Sequence, residues 1–245
     1  MKIAGIEKCS FVDYPGRLAA VFFTPGCNLD CYYCHNHSLV HEASLRKETW
    51  FDKEVALAWL DARQGFLDGV VISGGEPTVQ SGLSDFIRAV RAKGYKVKLD
   101  TNGTRPAVLR SLLEDGLLDY VAMDIKAPLD KYEAVCGVPV DYRVINESID
   151  IIMASGIAYE FRTTALPQFS DEDVLAIARR IRGARRFVLQ QYRRPDTQHS
   201  DPRFDLPPHS ATWPHAFFER IEEVVQACEL RGFEQPERSI AMGVA

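Results

Sequence analysis

From residue 19 to residue 191 the chain alternates short apolar runs with stretches of helical period, and that alternation leaves few folds open to it. The apolar runs cover 19–24, 69–73, 96–100, 120–125, 158–164 and 187–191. Each is short and bounded by turn residues, the form of strands buried on both faces. Residues 52–63, 83–93, 106–114, 144–154 and 174–181 repeat apolar side chains every three to four positions, as Val55, Ala58, Trp59 and Ala62 do in the first of them. Strands separated by helices pair in parallel through right-handed crossovers, so the expected class is α/β. Six units are two short of a closed eight-fold barrel, which predicts an open partial (β/α)6 barrel. Ahead of it, the turn Asp13-Tyr14-Pro15-Gly16 makes residues 3–11 one arm of a short N-terminal hairpin. Behind it lie a proline-rich stretch (Pro195, Pro202, Pro207, Pro208) and an expected C-terminal helix near 216–230. No linker interrupts the pattern before Arg194, which predicts a core over 1–194 with 195–245 packed on the same domain.

In parallel α/β sheets ligands bind beyond the carboxyl ends of the strands, so those ends carry the functional information. Past the first strand, Cys27, Cys31 and Cys34 stand within eight residues, as Pro25-Gly26-Cys27-Asn28-Leu29-Asp30-Cys31-Tyr32-Tyr33-Cys34-His35-Asn36. A structural zinc site commonly takes two separated cysteine pairs, and a ferredoxin motif takes a fourth nearby cysteine. Neither is present. Three thiolates on one loop suit an iron–sulfur cubane with one iron left open for catalysis. The alternatives are structural zinc completed by His35 or His37, or three unrelated cysteines.

The second strand ends in Gly74-Gly75-Glu76-Pro77. Paired glycines let a ligand approach the backbone, and a carboxylate after them can pair with an ammonium group; an ordinary strand-to-helix turn is the simpler alternative. The third ends in Asp100-Thr101-Asn102-Gly103 and the fourth in Asp124-Ile125-Lys126. Carboxylates at the mouths of apolar strands need a partner, either a shared cation or the start of the next helix. Arg162 on the fifth strand can take a carboxylate. Gln190 and Gln191, ending the sixth, offer amides to a base or a ribose.

These residues together resemble the radical S-adenosylmethionine (SAM) superfamily, through Cys27-x3-Cys31-x-Tyr33-Cys34 and Gly74-Gly75-Glu76-Pro77. Within it, Asp13-Tyr14-Pro15-Gly16, Cys34-His35-Asn36, Asp100-Thr101-Asn102-Gly103 and Asp124-Ile125-Lys126 resemble glycyl-radical-enzyme activases, most closely those of anaerobic ribonucleoside-triphosphate reductase and next those of pyruvate formate-lyase. The resemblance spans about residues 3–194. It implies that Cys27, Cys31 and Cys34 hold a [4Fe–4S] cluster whose open iron takes the amino and carboxylate groups of SAM. It further implies backbone contacts from Tyr33 and His35 to adenosine, and Gly74, Gly75 and Glu76 around the methionine amino group. Asp100, Thr101 and Asp124 match positions that hold a monovalent cation, and Lys126 and Arg162 match cofactor contacts. At Gln190-Gln191-Tyr192 the chain differs from pyruvate formate-lyase activases, which tend to have Pro-Tyr-His. The implied reaction is reductive cleavage of SAM to a 5′-deoxyadenosyl radical that takes hydrogen from a glycine of a partner enzyme, with electrons from a low-potential donor such as flavodoxin or ferredoxin.

Composition narrows the partners. Twenty-nine basic against 34 acidic residues give a net charge of −5, which provides no bulk attraction to nucleic acid or an anionic membrane. No apolar run reaches the roughly 20 residues of a membrane span, and the N-terminus lacks the form of a signal peptide. A cytoplasmic location is expected, where cysteines serve as ligands or core residues rather than disulfides.

Other features read as structural. His199, His209 and His215 are expected to be loop histidines rather than a second metal site. Cys9, Cys136 and Cys228 are read as buried or unreactive thiols. Arg179, Arg180, Arg182, Arg185, Arg186, Arg193 and Arg194 are read as a solvated face, with docking of an acidic partner as the alternative. The little chain beyond the sixth strand leaves the barrel mouth open to a peptide loop, unless 195–213 folds over it. Three readings result: an activase of anaerobic ribonucleotide reductase; a radical enzyme acting on another glycyl-radical enzyme or a small molecule; and a non-enzymatic iron–sulfur or zinc adaptor.

Overall fold

The computed structural model describes residues 1–40, 50–196 and 201–236. Eight strands form one open sheet: β1 (Gly5–Ser10), β2 (Ala19–Thr24), β3 (Gly69–Gly74), β4 (Lys96–Thr101), β5 (Tyr120–Asp124), β6 (Ala158–Ala165), β7 (Phe187–Gln191) and β8 (Cys228–Arg231). Their order across the sheet is their order in the chain, with β1 and β8 as the two edges. The β1–β2 pair is the antiparallel hairpin expected from its turn, and every pair from β2 to β8 is parallel. The crossover helices are α1 (Lys53–Asp61), α2 (Leu83–Ala92), α3 (Pro106–Glu114), α4 (Tyr142–Ala154) and α5 (Asp171–Arg180). None of the described helices is long and apolar enough to cross a membrane.

Alternation along the strands sets two faces. On one, Phe22, Ile72, Leu99, Val121, Phe161 and Leu189 are fully buried with residues of the helices, Phe86 among them. Phe22 and Phe86 meet edge-on at 5.7 Å, and each ring buried in this way contributes about 1.5–3 kcal/mol. The helices hold to this face by apolar stripes and by their ends. At the start of α5, the Ser170 hydroxyl accepts from Asp173 N while Asp173 accepts from Ser170 N, a reciprocal cap. On the other face lies a smaller apolar group, Tyr14, Ala19, Val21, Val71, Tyr120 and Ala122, and the polar strand residues Lys98, Asp100, Asp124, Glu160 and Arg162 are registered on that same face.

One expectation is corrected. The helix expected near 216–230 is only Phe218–Glu222, and Cys228–Arg231 is instead a seventh parallel strand, registered Cys228↔Phe187 through Arg231↔Gln190. Phe217, Phe218, Ile221 and Val225 are buried and carry a helical spacing. After them Phe187 N donates to Ala227 O (2.9 Å) and Glu229 pairs with Arg186 and Arg231. Edge pairing there satisfies β7's backbone, which one more helical turn would not.

Two glycines fix how β3 meets the loop after β2. Gly75 N donates to Thr24 O and Glu76 N to Gly26 O, both at 2.8 Å. Gly74 adopts φ +109°, and a Cβ on Gly75 would stand 2.0 Å from the Gly26 carbonyl oxygen. Only glycine allows this approach. Gly75→Ala is therefore expected to force the two loops apart and cost about 1–3 kcal/mol, the usual range for overpacking. The measurement is the midpoint of urea unfolding, and a wild-type midpoint would contradict the packing.

Candidate active site

The loop after β2 is closed at its base by Gly26 N donating to Leu39 O (2.6 Å) and pinned in its middle by Asp30 N donating to Cys136 O (2.8 Å). Cys34 N donates to Cys31 O at 3.0 Å, a tight turn that sets the two cysteines on one side. Leu29 N donates to Cys27 Sγ at 3.4 Å, and Asn102 Nδ2 lies 3.9 Å from the same sulfur. All three thiols line a cavity of about 430 Å³ at the carboxyl end of the sheet. Burial pushes Cys27 up to about 12 and raises Cys34. Cys31 is also raised, by a hydrogen bond with the Cys136 thiol and then by burial. Without a metal these groups stay protonated, so loading a cluster releases their protons. Among the described residues no three His, Cys, Asp or Glu side chains are gathered closely enough to hold a single ion. Three cysteine thiols lining one cavity are the donor set of an iron–sulfur cluster with one iron left open.

All but one of the residues given a ligand-binding role at the strand ends line the same cavity: Tyr33 and His35 from the loop; Gly74, Gly75 and Glu76 after β3; Asp100 and Thr101 on β4; Asp124 and Lys126 at β5; Arg162 on β6; Gln190 on β7. Gln191 does not; its amide donates to His209 O. Glu76 is 1 % exposed. Its Oε1 accepts from Thr78 N, Thr78 Oγ1 and Thr101 Oγ1, and its Oε2 accepts from Asn102 N at 2.6 Å. Burial raises its pKa, and these donors act against that rise. Oε2, with one donor, keeps acceptor capacity for an ammonium group.

The two aspartates are already paired within the chain. Arg162 Nε meets Asp124 at 2.7 Å and its Nη1 meets Asp100 at 3.4 Å, while Lys126 Nζ reaches Asp124 at 2.9 Å and Lys98 Nζ reaches Asp100 at 2.5 Å. Burial alone would raise both carboxyls. Arg162 first, with Lys98 at Asp100 and Lys126 at Asp124, holds them below the usual carboxylate range. Lys126 is held well above the ordinary lysine value by Asp124 despite its burial.

Sequence reasoning gave no role to several lining residues: Asp13 at the hairpin turn, Ser73, Asn36, Asn102 and Thr164. Ser73 Oγ donates to Asp100 at 3.0 Å, and Asn36 Nδ2 donates to Gly74 O at 3.1 Å. The two-residue strand period carries a signal for Ser73 and Thr164, since Ser73 precedes Gly74-Gly75 and Thr164 follows Arg162 by two. Lys98 was missed as well, although it precedes Asp100 by two on the same face.

The features read as structural are placed as follows. His209 stacks on Trp213 with ring centres 3.6 Å apart, and its Nε2 lies 3.0 Å from Leu166 O. His215 Nε2 lies 2.9 Å from Glu234 O, and His199 falls outside the described residues. Cys9 is exposed on the edge strand β1; Cys136 is buried against Cys31, and Cys228 lies in β8. In the arginine run, Arg179 pairs with Glu172 and Arg186 with Glu229, while Arg180 and Arg185 donate to backbone carbonyls. In the proline-rich stretch Arg203 lies over Tyr32 at 3.7 Å and donates to Ala134 O. Among the described residues, none of that stretch lines the cavity.

Residues 21–181 match the model of the radical SAM superfamily. A Methanocaldococcus jannaschii protein named as a glycyl-radical enzyme activating enzyme is 36 % identical over 198 residues, covering 78 % of this chain and 79 % of that protein. Pyruvate formate-lyase 1-activating enzyme of Escherichia coli K12 is 32 % identical over 181 residues, covering 70 % of each. Among solved structures, Streptococcus suis SuiB bound to S-adenosylmethionine matches 88 % of this chain and 52 % of its own with TM-score 0.62 and 14 % identity. The chain thus spans about half the length of SuiB, and at that identity the likeness concerns the fold. Such relatives set aside the non-enzymatic adaptor and place cluster and SAM chemistry in this fold. The cysteine loop, the strand-end rim and the 161 consecutive matched positions (21 through 181) agree, and the chain belongs to the radical SAM superfamily and, within it, to the glycyl-radical-enzyme activating enzymes.

Proposed function

We propose that this chain installs a glycyl radical on anaerobic ribonucleoside-triphosphate reductase. The observation that carries a macromolecular substrate is the open rim. None of the described residues after Gln190 lines the cavity, while Asp13 at the hairpin turn does. Next to Asp13, Phe11 and Val12 are 79 % and 81 % exposed, an apolar edge suited to contact with a folded partner. Gln190-Gln191-Tyr192, with Tyr192 where pyruvate formate-lyase activases tend to have a histidine, favours the reductase branch. The second reading, a pyruvate formate-lyase partner, is favoured by the 32 % identity to that activating enzyme.

Cys27, Cys31 and Cys34 would hold the cluster, and the rim would hold SAM. When bound, this pair supplies, on one-electron reduction by a flavodoxin- or ferredoxin-type donor, the 5′-deoxyadenosyl radical that takes hydrogen from glycine. The chain's own part is positioning. Glu76 Oε2 presents an acceptor to the amino group of the cofactor. Lys126 and Arg162 present fixed positive charge to its carboxylate, and Gln190 offers an amide to its ribose. Because the charged groups are locked in ion pairs before the cofactor arrives, they need little reorganisation when it binds.

Two outcomes are expected. Anaerobic reconstitution with iron and sulfide should give visible cluster absorption and 5′-deoxyadenosine on reduction. Cys31→Ala should abolish both, and cleavage surviving in Cys31→Ala would sink the assignment of the ligand. Incubation with each candidate partner, followed by electron paramagnetic resonance, should give a glycyl doublet on the anaerobic reductase. A doublet on pyruvate formate-lyase alone would replace the first reading with the second.

A further inference from the structure

The family resemblance implies a monovalent cation at Asp100, Thr101 and Asp124, and these residues do not fit one. Each of the four carboxylate oxygens already faces a lysine or arginine nitrogen of the chain, unlike Glu76 Oε2 with its neutral backbone donor, so a metal ion could share any of them only beside a fixed positive charge. Asp100 Oδ1 takes Lys98 Nζ, and its Oδ2 takes Ser73 Oγ and Arg162 Nη1; Asp124 Oδ1 takes Arg162 Nε and its Oδ2 takes Lys126 Nζ. The Thr101 hydroxyl donates to Glu76 and accepts from Gly103 N. A sodium or potassium ion needs several oxygen ligands at once, and it would enter beside three fixed cations.

We infer that the Lys98 ammonium replaces the monovalent cation, so that Lys98 is a positioning residue of the cofactor pocket. Its side chain is 2 % exposed, and burial of an ammonium is tolerated only with a charged partner. That partner is Asp100, on the same face of β4 two residues on, with the Tyr120 ring 5.9 Å away on the other side. Lys98, Lys126 and Arg162 carry one positive charge more than Asp100 and Asp124. A single added carboxylate neutralises the group, and the methionine carboxylate of SAM is one. With a sodium ion as well, these five side chains and that carboxylate would carry a net positive charge, while Glu76 in the same cavity is left to the cofactor's amino group.

The inference rests on the reading that this cavity binds SAM, which fails separately if reconstituted protein binds no SAM in any salt. SAM affinity of the cluster-loaded protein is to be measured by equilibrium dialysis at constant ionic strength in choline, sodium and potassium chloride. Wild-type affinity is expected to be equal in all three within about twofold. Lys98→Met is expected to lose at least about tenfold in choline and to regain affinity in sodium or potassium. Lys98→Arg is expected to stay independent of the salt. Melting temperatures without SAM supply a second readout: Lys98→Met should be stabilised by sodium or potassium over choline, and wild type should not. Wild-type affinity that collapses in choline and returns with sodium or potassium would overturn the inference, whether or not Lys98→Met folds. So would a Lys98→Met protein that binds SAM normally in choline.

Discussion

Arg162 spans two strand ends, and the geometry of the site depends on that bridge. Its guanidinium on β6 reaches Asp124 on β5 and Asp100 on β4 at once. Three neighbouring strands are thereby tied at the level where ligands bind in parallel sheets. Each of these charges would be costly to bury alone. Held together, with Lys98 and Lys126 completing the group, they form a rim whose side chains have little freedom left. Removing either aspartate would leave buried positive charge uncompensated, so the network is an all-or-none arrangement.

The cysteine loop meets this rim through backbone bonds as well as through side chains such as Asn36, whose Nδ2 donates to Gly74 O. The bonds from Gly75 N and Glu76 N to Thr24 and Gly26 set the start of the loop against the end of β3. The bond from Asp30 N to Cys136 O sets its middle against the short helix Tyr132–Cys136. Three thiols that burial keeps protonated are therefore held beside a carboxylate, Glu76, whose donors are already in place. A preformed frame of this kind lets the cofactor be bound and oriented without folding a new site around it.

Most of the fold was legible because the parallel sheet writes itself as alternation. The strand limits read from the sequence agree with the structure to within a residue from Ala19 through Gln191. The last strand was hidden for a physical reason: Cys228-Glu229-Leu230-Arg231 alternates only one buried residue with charges, and those charges find Arg186 and Glu160 only in three dimensions. The candidate site was legible because strand ends of one parallel sheet must share a rim, so residues far apart in sequence could be read as neighbours. Their pairing was not legible. Asp100 and Asp124 read as needing a cation or the start of the next helix, because the two-residue period that puts Lys98 on the face of Asp100 does not by itself show that the lysine folds back onto that carboxylate. Asp13 and Cys136 were likewise out of reach, since neither the hairpin's approach to the cavity nor the contact of Cys136 with Cys31 is encoded locally.

The central claim is that one rim, whose aspartates are already paired with the chain's own cations, receives SAM beside the cluster. A crystal structure of the reconstituted protein with SAM, grown in sodium chloride, tests it most directly. The account predicts the cofactor in the cavity bounded by the cysteine loop, Glu76 and Gln190, with Lys98 still on Asp100. A cofactor bound elsewhere, or a sodium ion seated between Asp100 and Asp124 with Lys98 displaced, would contradict it.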